Sequence, residues 1–223
     1  MRTLHIGDPP NFDRLARPYR WLEYLTFGPY LERCRFSRLA RLTDCRHALV
    51  YGDGDGRFLA RLLRSNPHIS VDSVDCSAAM TSLVERRVDR IGSSARRRLT
   101  LHHDNALSFS SFSFRYDLLV AHFFLDCFST AELNVLFDHT VPQLTTGALF
   151  LISEFATIEG GPMAAVSRAI IAVLYRVFGL LTKLGPRHLP DHSSVLSAHG
   201  FTLLEHKTWL GGLLVSELWQ LRN

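Results

Sequence analysis

The sequence ALVYGDGDGRFLARLL occupies residues 48–63. Its first four residues are apolar and predict a short buried strand, and apolar residues at helical spacing follow the glycines. Gly52, Gly54 and Gly56 stand at every second position of the intervening loop. Glycine adopts positive φ and lets a ligand approach the backbone without meeting a Cβ atom. The stretch therefore predicts a strand, a tight loop and a helix whose first N–H groups favour an anionic ligand group.

An acid ends the next predicted strand. The run ISVDSVD at residues 69–75 finishes in Asp75, about twenty residues after Gly56, and a carboxylate there can accept hydrogen bonds from both hydroxyls of a ribose. Glycine loop and acid together indicate an adenosine-type ligand.

Strand and helix patterns alternate between residues 46 and 155. Strands are expected near 48–51, 70–75, 99–103, 116–121 and 147–154, and helices near 56–64, 77–91 and 130–141. This alternation predicts an α/β fold with a parallel sheet, helices on both faces, and ligands at the carboxyl ends of the strands.

Three motifs in this order resemble those of the class I S-adenosylmethionine-dependent methyltransferases. They are G-x-G-x-G at residues 52–56, DCSAAM at residues 75–80 and LTLHHDNA at residues 99–106. The resemblance implies a single methyltransferase domain over 1–223 with a Rossmann-like, seven-stranded, mostly parallel sheet. It also implies a helical cap at 1–42, a cofactor-binding core at 46–155 and an antiparallel C-terminal strand pair within 200–223.

The same resemblance implies S-adenosylmethionine as cofactor and a set of residues that bind it. The methionine end is assigned to Gly52, Asp53, Gly54 and Gly56, the ribose side to Asp75, Cys76 and Met80, and the adenine side to Asp104, Asn105 and Ala106. Tyr19 and Phe123 are expected to flank the sulfonium, whose positive charge an aromatic face attracts. His122 is expected at the rim near the amino acid end of the cofactor or the methyl acceptor.

Two further stretches resemble the ubiquinone and menaquinone C-methyltransferases. FDRLARPY at 12–19 with TFG at 26–28 matches their N-terminal cap, and Glu154-Phe155 matches the end of their fifth strand. This implies a small, apolar or aromatic, quinone-like acceptor. The same architecture methylates phenols, amines, lipids and small acids, so the acceptor and the methylated atom stay open.

A general base is needed only if the acceptor arrives protonated, and His122 is the first choice for it and Glu154 the second. No metal is expected, because His188, Asp191 and His192 form an incomplete ligand set.

The apolar segment 162–184 is expected to form a lid helix. Arg168, Arg176 and Lys183 recur in it at steps that place them on one helical stripe. Such a stripe suits a lid or an interfacial helix better than a membrane-spanning one. Peripheral membrane contact through 163–184 is therefore an extension of the prediction.

Composition limits the class of protein. The chain has 223 residues, a net charge of +4 and 47% hydrophobic residues, which suits one globular domain with a single core. Its arginines are scattered, so no nucleic-acid partner is expected. Four separated cysteines without metal-ligand spacing, and no apolar signal region in the first ten residues, predict a cytoplasmic protein.

One position departs from the methyltransferase pattern. The family usually carries an acid two residues before the first motif glycine, and this chain has Val50. Either Asp53 or Asp55 compensates, or the cofactor binds weakly. A catalytically idle, methyltransferase-like binding or scaffold protein is thus an alternative. A nicotinamide-dependent oxidoreductase is a third, disfavoured by the glycine spacing.

Overall fold

The structure, a computed structural model, describes residues 27–110, 115–156 and 190–222. The strands in these ranges are β1 His47–Tyr51, β2 Ser70–Asp75, β3 Leu99–His103, β4 Tyr116–His122, β5 Leu144–Phe155, β6 Phe201–Trp209 and β7 Leu214–Leu221. The helices are α1 Tyr30–Phe36, α2 Arg57–Ser65, α3 Ala78–Asp89, α4 Ser93–Arg96, α5 Thr130–Thr140 and α6 His192–Ala198. Short 3₁₀ turns occupy Leu39–Leu42, Leu125–Cys127, Val141–Gln143 and Leu210–Gly212.

The strands form one sheet in the order β3-β2-β1-β4-β5-β7-β6. Strands β1 to β5 pair in parallel, and β7 runs antiparallel to both β5 and β6. The chain moves outward from β1 in both directions, which makes the β1–β4 boundary the switch point where such sheets bind ligands. The predicted fold class, a seven-stranded and mostly parallel sheet with an antiparallel C-terminal strand, is confirmed.

Alternating apolar residues on the central strands face two different cores. Val50 and Val120 pack with Phe58 of α2 and Val84 of α3 on one face, whereas Leu49, Tyr51, Leu119 and Ala121 pack with α5 and α6 on the other. This alternation follows from the period of two along a strand. Because both faces are covered, the carboxyl ends of β1 to β4 form a rim on which a ligand can lie.

Most predicted bounds agree with the structure to within two residues, and two differences have physical causes. The fifth strand begins at Leu144 rather than 147, because Leu144 already pairs with Tyr116 before an irregularity in register that includes Gly147 at φ +78°. The helix predicted over 77–91 ends at Asp89, and Gly92 at φ +126° precedes the separate turn α4.

Several predictions fall partly or wholly outside the described residues. The segment 162–184 and Tyr19 lie outside them, as does the predicted helical cap up to residue 26. From the remainder of that cap the structure shows α1 and the following 3₁₀ turn. The division of 1–223 into these parts stays a prediction.

Candidate functional site

The glycine loop between β1 and α2 lies at the switch point of the sheet. Gly52, Gly54 and Gly56 have φ of +58°, +62° and +79°, a region that glycine adopts without steric cost. A Cβ atom on Gly52 would lie 2.4 Å from the ring of Phe124, and one on Gly56 would lie 2.9 Å from Cα of Val84. Glycine is therefore required here both by backbone conformation and by the close approach of two neighbouring elements.

The two acids of this loop, Asp53 and Asp55, differ in the groups that they contact. Asp55 is buried and forms ion pairs with Arg57 at 2.9 Å and Arg87 at 2.8 Å. Asp53 Oδ2 accepts a hydrogen bond from the backbone N–H of Leu59 at 3.0 Å, and burial raises the pKa of Asp53 to about 7. Asp53 and Asp55 are the two acids that could compensate for the acid missing at position 50. Asp55 is engaged in two ion pairs, whereas Asp53 takes part in neither of them.

The end of β2 places Asp75 next to the glycine loop. Its Oδ1 accepts a hydrogen bond from the backbone N–H of Ser77 at 2.8 Å, and Ser77 in turn caps α3 by accepting from the N–H of Met80. Met80 is buried behind this turn, while Asp75 and Cys76 are partly exposed. The structure thus brings Asp75 and Cys76 to the rim and uses Met80 in packing beneath it.

The end of β3 adds a second turn beside the first. The backbone N–H of Asp104 donates to the carbonyl of Asp75 at 3.2 Å, and Asp104 itself is exposed. Asn105 closes the turn, because its Oδ1 accepts from the N–H of Leu107 at 3.0 Å. Ala106 is buried. The predicted ribose and adenine residues therefore meet at neighbouring strand ends.

His122 ends β4 and lies beneath the rim. It is 5% exposed, its ring meets Phe58 edge-on at a centroid distance of 4.4 Å, and among the described residues neither ring nitrogen has a hydrogen-bond partner. Burial, and then the positive charge of Arg35, lower the pKa of His122 well below its ordinary value. The imidazole is neutral at physiological pH.

The turn that follows β4 is held by a residue of β5. Glu154 Oε1 accepts hydrogen bonds from the backbone N–H groups of Phe124 at 3.0 Å and Leu125 at 2.8 Å. Phe123, just before them, has a positive φ of 53°. Burial and the neighbouring Asp126 carboxylate raise the pKa of Glu154 well above its ordinary value.

An aromatic surface covers the carboxyl ends of β4 and β5. Phe27, Leu31, Cys34, Leu213 and Leu214 form its buried part, with Tyr30, Phe123, Phe155 and Trp209 packed against them; we call these nine residues the rim cluster. The ring of Phe155 lies 5.3 Å from that of Phe27 and 5.1 Å from that of Phe123. The guanidinium of Arg35 lies over Phe123 at 5.0 Å. Arg33 lies over Tyr30 at 5.5 Å and Lys207 over Trp209 at 5.2 Å, so this end of the rim is apolar and aromatic with cations at its edge.

The sequence prediction missed three groups of this site. Phe124 covers Gly52 and stacks on Tyr51 at 5.7 Å. The positive charge of Arg35 acts to lower the pKa of both His122 and Asp53, and burial raises the pKa of Asp126 to about 6. An acid four residues past the end of a β4-like strand could have been noticed in the sequence. The positions of Phe124 and Arg35 could not, because they depend on contacts between distant segments.

Two negative findings concern only the residues that the structure describes. No three His, Cys, Asp or Glu side chains in these ranges come together as a metal site requires. None of the helices within the same ranges combines the length and apolar character that a membrane crossing requires.

Solved structures resemble this chain in fold. An O-methyltransferase family protein from Burkholderia thailandensis aligns over 94% of this chain with a TM-score of 0.70 and 16% identity. The N-methyltransferase NodS from Bradyrhizobium japonicum, in complex with S-adenosyl-L-homocysteine, aligns over 86% of this chain and 88% of its own, with a TM-score of 0.60 and 16% identity. The S-adenosylmethionine-dependent methyltransferase SibL, in its apo form, aligns over 97% of this chain with a TM-score of 0.69 and 18% identity.

This chain spans only 60% of the Burkholderia protein and 63% of SibL. No protein-family profile matches the sequence, and no curated protein sequence matches it. At these identities the comparisons show the fold, which is that of O- and N-methyltransferases.

Proposed function

We propose that this protein is an S-adenosylmethionine-dependent methyltransferase that acts on a small, apolar or aromatic acceptor. The observation that carries the proposal is the geometry of the rim. A loop with three glycines at positive φ stands at the switch point, and Asp75 ends the neighbouring parallel strand. On a methyltransferase fold, this pairing suits a nucleoside that carries an amino acid.

The residues of the rim fit each part of that molecule. The backbone of Gly52, Gly54 and Gly56 would hold the methionine end, with the Asp53 carboxylate for its ammonium group. Asp75 would accept from the ribose hydroxyls with Cys76 beside it, while Asp104 and Asn105 would border the adenine. Met80 and Ala106 would shape the pocket from behind, since both are buried.

When bound, S-adenosylmethionine supplies an electrophilic methyl group on a sulfonium. The protein's contribution is then to align the acceptor and to exclude water, and such positioning can be worth effective molarities of about 10⁵–10⁸ M. Phe123, and Tyr19 from the cap, would offer aromatic faces to the sulfonium charge.

The rim cluster favours an apolar or aromatic acceptor. Its rings of Phe27, Phe123 and Phe155 contact one another at the ends of β4 and β5, beside the strand end that carries His122. Phe27 belongs to the TFG stretch shared with the quinone methyltransferases, and Phe155 follows Glu154 at the end of β5 as in that group. A quinone-like acceptor, bound under a lid at 162–184, is the finer form of the proposal.

His122 is the first choice for a base. Its neutral ring keeps a lone pair at physiological pH, but burial and Arg35 oppose the imidazolium form. His122 is thus a weak base in this state, and it could serve only an acceptor whose proton becomes more acidic as the methyl group is transferred. Glu154, the second choice, has one oxygen committed to the β4 turn.

The remaining parts of the proposal are a cytoplasmic location, no nucleic-acid partner and peripheral membrane contact through 163–184. The idle scaffold remains the alternative because Val50 is buried and apolar where the family has an acid. A nicotinamide-dependent oxidoreductase is the third hypothesis. It is tested by measuring NADH fluorescence when NADH is mixed with the protein.

The test uses S-adenosylmethionine labelled in its methyl group. The protein is incubated with a lipid extract and, separately, with a polar-metabolite extract of the same lysate. We expect label in the organic phase only. Label confined to polar products would contradict an apolar acceptor, and absence of both transfer and S-adenosylhomocysteine binding would favour the idle scaffold.

A paired substitution tests the base. His122→Gln should slow transfer to a protonated acceptor while S-adenosylhomocysteine affinity is kept. His199→Gln is the control, because His199 bonds Val195 and Asp138 at α6, away from the rim. Equal rates in the two variants would exclude His122 as the base.

A further inference from the structure

Glu154 makes an unusual pair of contacts for a buried acid at a strand end. One oxygen, Oε1, accepts from two consecutive backbone N–H groups, those of Phe124 and Leu125. The residue is 2% exposed. Within the described residues its other oxygen, Oε2, is buried and has no hydrogen-bond partner. Two donors on one oxygen fix the direction of a turn more firmly than one would.

These contacts hold a turn whose backbone is strained. Phe123 adopts φ +53°, which costs energy for a residue other than glycine and persists only where the surroundings impose it. Its N–H donates to the carbonyl of Ser153, the residue before Glu154. Both the entry and the body of the turn are therefore anchored on β5.

The turn reaches the glycine loop through one side chain. The ring of Phe124 lies over Gly52 so closely that a Cβ atom there would overlap it, and the same ring contacts Tyr51 and Phe128. If the turn shifted, the ring of Phe124 would move relative to the glycine loop. Pocket shape at the loop thus depends on a residue of β5.

Glu154 is also poorly suited to accept a proton. It is 2% exposed, and Oε1 is already engaged by two backbone N–H groups. Burial and the Asp126 carboxylate raise its pKa, which favours the protonated form.

We infer that Glu154 is a positioning residue: through the hydrogen bonds of Oε1 with Phe124 and Leu125 it holds the turn after β4 and so keeps Phe124 against the glycine loop in the form that binds cofactor. The inference rests on the proposed function for its ligand. On this inference Glu154 does not act as a base. It sets the shape of the cofactor pocket.

The experiment measures S-adenosylhomocysteine affinity by calorimetry for wild type, Glu154→Gln and Glu154→Ala. Glutamine keeps an oxygen acceptor without charge, so its affinity should stay within about twofold of wild type. Alanine removes both hydrogen bonds, lowers the fraction of molecules with a seated turn, and should weaken affinity about tenfold. If the alanine variant does not fold, Glu154→Asp withdraws the oxygen by one methylene and should show the same loss.

Asp117→Ala is the matched control. Asp117 also bonds two consecutive backbone N–H groups, those of Arg46 and His47, but at the opposite end of the sheet. It should reduce stability without changing affinity. Unchanged affinity in Glu154→Ala would overturn the inference, as would an equal loss in Glu154→Gln or in Asp117→Ala.

Amide hydrogen exchange separates this inference from the proposed function. In the protein without ligand, the N–H groups of Phe124 and Leu125 should exchange faster in Glu154→Ala and remain protected in Glu154→Gln. This readout needs no cofactor. If wild type failed to bind S-adenosylhomocysteine while this exchange pattern appeared, the proposed function would be wrong and the positioning role of Glu154 would hold. If exchange were unchanged in Glu154→Ala, the positioning role would be overturned.

Discussion

Two features of the structure require a glycine at position 56, at the start of α2: its backbone conformation and the close approach of α3. The Gly56→Ala variant, compared with a control, separates their costs in unfolding free energy. The residue has φ +79°, and an added Cβ atom would lie 2.9 Å from Cα of Val84. The first feature costs any residue with a side chain about 1–2 kcal/mol. The second is a contact with backbone of α3, so the helix itself must move, and such overpacking costs about 1–3 kcal/mol.

Gly147→Ala is the matched control for backbone strain. Gly147 has φ +78°, and its added Cβ atom would meet only the Nε2 of Gln220, at an ordinary 3.8 Å. Both substitutions reduce the freedom of the unfolded chain alike, so that effect cancels between them. We therefore expect Gly56→Ala to lower the free energy of unfolding by about 1–3 kcal/mol more than Gly147→Ala does.

Urea unfolding followed by circular dichroism measures this difference at one temperature. The midpoint of Gly56→Ala should fall well below that of Gly147→Ala, with the same dependence on urea concentration. Equal unfolding free energies would refute the reasoning that Gly56 is required by the approach of α3.

The loop acids give two further predictions. Because burial raises the folded-state pKa of Asp53 to about 7, its folded state favours the proton, and the stability that this gives at low pH is lost as pH rises to 7. That loss begins at the unfolded-state pKa of about 4 and is complete above pH 7, so Asp53→Asn should raise Tm relative to wild type more at pH 8 than at pH 5, and an equal difference at both would contradict the assignment. Asp55→Asn should cost about 2 kcal/mol, because it removes the charge that pairs with Arg57 and Arg87, while Arg57 keeps its ion pair with Glu32 at 2.8 Å. The control Asp89→Asn, in an exposed ion pair, should cost about 0.5 kcal/mol or less in the same urea unfolding assay, and equal losses would contradict the prediction for Asp55.

The sequence predicts the central part of the fold well, for a physical reason. At residues 48–63 a buried strand changes to helical spacing across three glycines, and few alternative structures satisfy both patterns. The irregular pairing of β5 around Gly147 has no such pattern, because it depends on how far Tyr116 can pair. The end of α3 depends on the conformation of Gly92, which the sequence suggests only weakly.

The residues of the site likewise fall into those that the sequence predicts and those that it does not. Asp75 and Asp104 could be placed on the rim from topology alone, since parallel strands end on one edge. The ion pairs of Asp55, the raised pKa of Asp126 and the contacts of Glu154 with the β4 turn arise from tertiary packing. A sequence shows that an acid is present and does not show which backbone N–H groups it meets.

The central claim is that the rim binds a nucleoside carrying an amino acid, with Asp75 on its ribose. Calorimetric titration with S-adenosylhomocysteine tests it most directly, on wild type, Asp75→Ala and the exposed control Asp89→Asn. We expect wild type and the control to bind alike. Asp75→Ala should bind about a hundredfold more weakly, because two hydrogen bonds to a charged group are lost. Absence of heat for wild type at millimolar ligand, or equal affinity in Asp75→Ala, would contradict the claim.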